Sequence, residues 1–138
     1  MPKTLLRVSE HDEQVAFMQW LQVCLPVVYE HTTAVPNQYT GRSNQMRLRV
    51  KEGLKKGYPD VLIDYPIAPW HGLRIEFKRA DGIPSDVHGH QFQWIERLNR
   101  QGYYACVAWG CDDAIAIVRK YVRGEVAKQD VYARPPKR

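Results

Sequence analysis

Three residues in the middle of this chain, Asp60, Glu76 and Lys78, have the types and spacing from which metal-assisted chemistry can be built. Glu76 and Lys78 lie in Leu73-Arg74-Ile75-Glu76-Phe77-Lys78, a run with the alternation of a β-strand. Leu73, Ile75 and Phe77 share one face of it, and Arg74, Glu76 and Lys78 share the other. Asp60 opens an earlier apolar run, Asp60-Val61-Leu62-Ile63-Asp64, and a connector with Pro66, Pro69 and Gly72 joins the two. Paired as an antiparallel hairpin with Asp64 opposite Leu73 or Gly72, the runs bring Asp60 beside Glu76. Two carboxylates and an ammonium then converge at one end of a sheet. Such a set suits one or two Mg²⁺ or Mn²⁺ ions, which favour carboxylate, carbonyl and water oxygens. The backbone carbonyl of Phe77 is a natural third ligand. Lys78 can orient or deprotonate an attacking water, or offset charge on a pentavalent transition state. Taken alone, an acid and a lysine two apart on a strand also make an ordinary surface ion pair.

Other segments must hold this hairpin. Ser9 reads as the N-cap of a first helix, with Asp12 as the capping-box acid, running to about Cys24 before Pro26. Its apolar stripe is Phe17, Leu21 and Cys24. Glu10 and Asp12 are accounted for by capping and the helix dipole. Glu13 extends the stripe, and either adds to the cap or reaches the site. Val27 to Val35 reads as a strand, followed by a loop from Pro36 to Gly41. Asn44 can cap a second helix through Lys56, ended by Gly57. A third helix starts at Ser85 or Asp86 and runs to about Arg100, with Gln91 inside its apolar stripe of Val87, Trp94, Ile95 and Leu98. That amide either bonds nearby backbone or points into the cleft beside the hairpin. Tyr103 to Trp109 reads as a buried strand and Asp112/Asp113 as the start of a last helix. The order predicts an α/β domain over residues 1–138, a mixed four-stranded sheet flanked by helices. From about residue 124 a short basic tail is expected to be partly disordered or to lie on a partner.

Composition narrows the partners. The net charge is +5, and its distribution says more than its size. Arg42, Arg47, Arg49, Lys51, Lys55 and Lys56 face Glu52 alone between residues 42 and 56, which makes them candidate DNA-binding residues. A second basic stretch runs from Arg119 to Arg138. Between them lie the acids of the hairpin, so basic flanks surround an acidic centre, as a metal site that approaches a polyanion requires. No apolar run approaches the roughly 20 residues of a membrane span, and residues 1–9 lack a signal-peptide core. Cys24, Cys106 and Cys111 have no CxxC spacing and read as reduced, mostly buried thiols of a cytoplasmic protein. His88 and His90, two apart on a predicted helix, diverge and make a poor ligand pair. No phosphate-binding glycine loop is present, which removes NTPase and dinucleotide readings.

Pro59-Asp60, fifteen intervening residues and Glu76-Phe77-Lys78 resemble the PD-(D/E)XK nuclease signature. Gly57-Tyr58-Pro59-Asp60, Leu73 to Arg79 and Gln91-Phe92-Gln93-Trp94 resemble more narrowly the VRR-NUC (virus-type replication-repair nuclease) family, and Glu13-Gln14 and Pro36-Asn37 fit the same pattern. The resemblance covers about Ser9 to Val122. It implies a restriction-endonuclease-like fold and a Mg²⁺- or Mn²⁺-dependent phosphodiesterase, with Asp60 and Glu76 as metal ligands and Lys78 as catalytic lysine. Glu13 and Gln91 match accessory positions, Glu13 meeting the metal through water. Stand-alone members, of phages and bacteria, are implied to be homodimers that cut branched DNA such as four-way (Holliday) junctions, in the cytoplasm of the cell or infected host. Members in larger repair proteins act on flaps and crosslinks. The rival expectations are a non-cleaving branched nucleic-acid-binding module of the same fold, a flap or repair nuclease and, more weakly, a sequence-specific restriction enzyme.

Overall fold

The computed structural model describes residues 8–36 and 43–136. Helix α1 spans Glu10–Cys24, and Ser9 caps it by accepting a hydrogen bond from the Asp12 amide at 3.1 Å. Phe17 and Leu21 are its fully buried residues. Cys24 is exposed rather than buried, while Cys106 is buried and Cys111 intermediate. The next position of the stripe is taken by Leu25, four residues after Leu21, which packs against the core.

The strand expected from Val27 to Val35 is a short helix, α2 (Pro26–Glu30), followed by β1 (Thr32–Ala34). Pro26 occupies the first turn of α2, where its fixed φ suits a helix and its missing N–H costs nothing. Val28 is buried from that turn, so tertiary packing overrides the β preference of Val27 and Val28. Helix α3 is Ser43–Lys51 and stops short of the predicted Lys56. Gly53, at φ +109, ends it. The amides of Gly53 and Leu54 turn back onto the carbonyls of Val50 and Arg49, the Schellman pattern. Leu48 and Val50 are more than half exposed, so α3 is a surface helix as expected. Asn44 and Arg42 carry expectations that lie outside the described side chains.

Strands β2 (Val61–Ile63), β3 (Leu73–Lys78) and β4 (Tyr104–Trp109) complete a mixed sheet of order β1-β2-β3-β4. β1/β2 and β2/β3 are antiparallel, and β3/β4 is parallel. The parallel pair needs a crossover, supplied by α4 (Gly89–Arg100). Its predicted start at Ser85 or Asp86 is a separate 3₁₀ turn, Pro84–Asp86; the chain is extended at Val87 and His88 before α4 begins. Helix α5 (Cys111–Val122) packs beside α1. On one face of β3 the Phe77 ring meets Phe17 of α1 at 5.5 Å; on the other, Glu76 is bonded to α4. Both faces of β3 and β4 are therefore covered.

The outer edge of β4 is capped atom by atom. Its Ala105, Val107 and Trp109 amides donate to Asn99 Oδ1, the Val131 carbonyl and Asp113 Oδ2. The C-terminal segment, expected to be partly disordered or to lie on a partner, is thus docked on this edge as far as Arg134. Val131 is buried, Tyr132 stacks on Phe92, and Arg134 lies over the Trp109 ring. Pairing the edge removes a template for unwanted strand addition. Among the described residues no helix is long and apolar enough to cross a membrane.

Candidate active site

The pairing Val61↔Ile75 and Ile63↔Leu73 sets Asp60, the residue before β2, against Glu76 and Phe77. Asp60 is held at both ends. Its carbonyl accepts from the Val35 amide at 2.8 Å, and its Oδ2 accepts from the Phe77 amide at 2.8 Å. In the parallel ladder the carbonyls of Gly72 and Lys78 face β4, bonded to the Tyr104 and Gly110 amides. Residues alternate, so the Phe77 carbonyl faces the opposite side, that of Asp60.

Glu76 and Lys78 are each 3% exposed, although both carry ionisable side chains. Lys78 Nζ stands 3.9 Å from Glu76 Oε1. Gln91 Nε2 donates to that same Oε1 at 2.6 Å, while Gln91 Oε1 accepts from the His88 amide at the start of α4. The amide of Gln91 is thus spent on both jobs weighed for it, capping its helix and entering the cleft. Glu76 Oε2 is buried with no hydrogen-bond partner. Burial, and next the negative charge of Asp60, push the Glu76 carboxyl up to about 9, against the opposing pull of Lys78. Without a cation these surroundings favour the neutral, protonated form of the group. Arg74, on the same face, has no part in the cluster. It is bonded to Asp64 at 3.1 Å and lies over the Tyr103 ring at 4.5 Å.

The donor chemistry fits a hard divalent cation. Asp60, Glu76 Oε2 and the Phe77 carbonyl are oxygen donors, and an orphaned carboxylate oxygen beside a second acid is what a cation relieves. Among the described residues no group of three or more His, Cys, Asp or Glu side chains can hold a metal, so backbone, water or substrate oxygens must complete the shell.

Glu13 does not join this cluster. Its Oε2 accepts from the Cys111 amide, at the N-terminus of α5. Gly110, at φ +90, leaves that carboxylate room: a Cβ there would come within 3.0 Å of Glu13 Oε2. Glu13 thereby ties α1 to α5. The acid of α1 that faces the site is Glu10, which sequence reasoning assigned to capping alone. Its carboxyl is pushed up by burial, while Lys78 pulls it down and Asp60 and Asp86 push it up, so it shares the field of the cluster. With Gln14, four residues on, Glu10 lines a depression shared with Asp60 and Phe77. That i, i+4 pair was the available signal.

Of the predicted basic residues, Arg47, Arg49 and Lys51 are exposed along α3. Lys55 and Lys56, in the loop beyond it, line a cavity that also contains Asp60 and Gln91. His88 and His90 border that cavity too; His88 is the residue before α4 rather than inside a helix.

No family model matches the chain, and no curated protein matches it. Among solved structures, one described as a VRR_NUC domain protein is 28% identical, with a TM-score of 0.74. The match covers 86% of this chain and 92% of that one. The mixed sheet, with Pro59-Asp60 leading into one strand and Glu76-Phe77-Lys78 on the next, goes with a likeness to a VRR_NUC domain protein that extends over most of both chains.

Proposed function

We propose that this chain is a metal-dependent DNA endonuclease that hydrolyses phosphodiester bonds, selective for branched DNA such as four-way junctions and acting as a homodimer. The observation that carries the reading is the meeting of Asp60, Glu76 and Lys78 at one end of β3, with a buried, unbonded carboxylate oxygen on Glu76. Asp60, Glu76 and the Phe77 carbonyl would hold Mg²⁺ or Mn²⁺. Such an ion neutralises charge on the attacked phosphate and makes water a competent nucleophile near neutral pH. Loading it requires Glu76 to release its proton, so occupancy rises with pH. Gln91 pins Glu76 Oε1 and leaves Oε2 for the ligand role. Lys78 stands beside that carboxylate and offsets charge on the attacked phosphate. Glu10 adds an acid to the same field from α1. Arg47, Arg49, Lys51, Lys55 and Lys56 supply phosphate contacts that position the strand. The solved VRR_NUC relative supports nuclease chemistry, and the motif resemblance supports branched substrates.

The test is a panel of end-labelled four-way junction, flap and linear duplex, each incubated with Mg²⁺, Mn²⁺ or EDTA. Cleavage that needs metal and favours the junction is expected. Tight binding of the junction with no cut under either metal overturns the enzyme reading in favour of a binding module.

A further inference from the structure

A second space opens beside the acidic cluster. It is a cavity of about 670 Å³ between α3, the loop that follows and the start of α4, and Asp60 and Gln91 belong to its wall. Its wall is apolar on one side and basic beside it. Met46, Val50 and Leu54 form an apolar side, and Lys55 and Lys56 add ammonium groups. Val50 is 53% exposed, an apolar side chain presented to solvent from a helix that also carries Arg47, Arg49 and Lys51. Tyr58 completes the lining and is set before any ligand arrives. Its ring meets Trp94 edge-on at 5.0 Å, and its hydroxyl receives Arg74 Nε at 3.3 Å. Gly57, at φ +82, brings the loop against α4; a Cβ there would lie 2.6 Å from the His90 carbonyl carbon. The loop is therefore packed closely on α4 at this end of the cavity, which adjoins Asp60 and Gln91.

A phosphate or sugar needs no apolar wall, and a fully paired duplex offers no free base face. The lining suits a flat apolar ring with a phosphate attached. A volume of about 670 Å³ lies within the roughly 300–1,000 Å³ of small-molecule sites and has room for a purine. We infer that this cavity takes one unstacked nucleobase of the DNA substrate, from the nucleotide next to the phosphate that meets Asp60; the inference rests on the nuclease reading above. Met46, Val50 and Leu54 then cover the faces of the base, Lys55 and Lys56 hold its flanking phosphates, and His88 and His90 border its polar edge. Selectivity follows from energetics. Extracting a base from intact duplex costs unstacking and unpairing, and an already unpaired nucleotide spares most of that. Junctions and flaps that offer such a nucleotide would be favoured because of base availability.

The test uses the intact protein in EDTA and a four-way junction with 2-aminopurine as an unpaired nucleotide at the branch. A second junction carries an abasic analogue there. Binding of the first should change 2-aminopurine fluorescence, and its affinity should exceed that of the abasic junction about tenfold, the scale of base contacts to single-strand pockets. Val50→Trp, at an exposed position, and Leu54→Trp both fill the cavity and should bring that ratio to about one. A wild-type ratio near one, or a ratio unchanged in both variants while junctions are still bound in EDTA and cut once Mg²⁺ is supplied, overturns the base pocket and leaves the nuclease reading standing. No binding or cleavage of any DNA by the wild-type protein overturns both.

Discussion

Glu76→Gln should stabilise the protein in the absence of metal, and more so as pH rises. The carboxyl lies at about 9 in the fold against an ordinary 4.5, because burial and Asp60 disfavour its charge more than Lys78 favours it. Between those values the folded state binds more protons than the unfolded chain. Stability therefore falls as pH rises through this window, the opposite of a salt-bridged acid. At pH 7 the folded protein must keep a proton that the free side chain has lost over about 2.5 pH units, which costs on the order of 3 kcal/mol. The neutral amide has similar shape, can still accept from Gln91, and carries no titration. Urea unfolding in EDTA at steps from about pH 5 to about pH 9 measures the difference. The wild-type midpoint should decline across the range, and that of Glu76→Gln should be flatter and higher at the alkaline end. Parallel profiles would refute the reasoning, because they would mean that Glu76 ionises in the fold as it does in the unfolded chain. Mg²⁺ should recover wild-type stability most at high pH, and should do little for the variant.

The two acids of α1 should separate by readout. Glu10→Gln should weaken Mn²⁺ binding by about 10–100-fold, the scale of outer-sphere contacts, with little change in melting temperature. Glu13→Ala strips the Cys111 amide of its acceptor and should cost roughly 1–3 kcal/mol of unfolding free energy, with Mn²⁺ affinity of the folded protein retained. Gly57→Ala should destabilise by more than about 1 kcal/mol in urea unfolding, since it meets both a left-handed φ and the His90 backbone. Lys55→Ala should weaken binding to all DNA forms alike and reduce the slope of log affinity against log salt by about one; an unchanged slope would remove Lys55 from the phosphate contacts.

The hairpin was legible because it depends on local chemistry. The connector of Pro66, Pro69 and Gly72 and the period-two alternation define the register that sets Asp60 against Glu76, and with it the face shared by Glu76 and Lys78. Gln91 was legible for a similar reason: an amide on a helical apolar stripe needs a partner. The choice between Glu10 and Glu13 was not. Both sit in the first turn of α1, and which one meets β3 depends on the rotation of α1 against α5, fixed by Glu13 on the Cys111 amide nearly a hundred positions away. The strand predicted over Val27 to Val35 is confined to Thr32–Ala34 on the same ground, because burial of Val28 decided the first half of a segment whose local preference pointed elsewhere. The docking of the tail was hidden too. It depends on the free edge of β4 needing an acceptor for the Val107 amide, a requirement that exists only once the sheet is assembled.

The central claim is that Asp60, Glu76 and Lys78 act together on a phosphodiester. The most direct measurement is the single-turnover cleavage rate of a labelled four-way junction in Mg²⁺, for the wild type and for Asp60→Ala, Glu76→Ala and Lys78→Ala, each shown to be folded and to bind the junction. The account predicts metal-dependent cutting by the wild type and a loss of at least about 10²-fold in each variant, the scale of removing one charge-stabilising group. Cutting by the wild type in EDTA, or wild-type rates in all three variants, would contradict it.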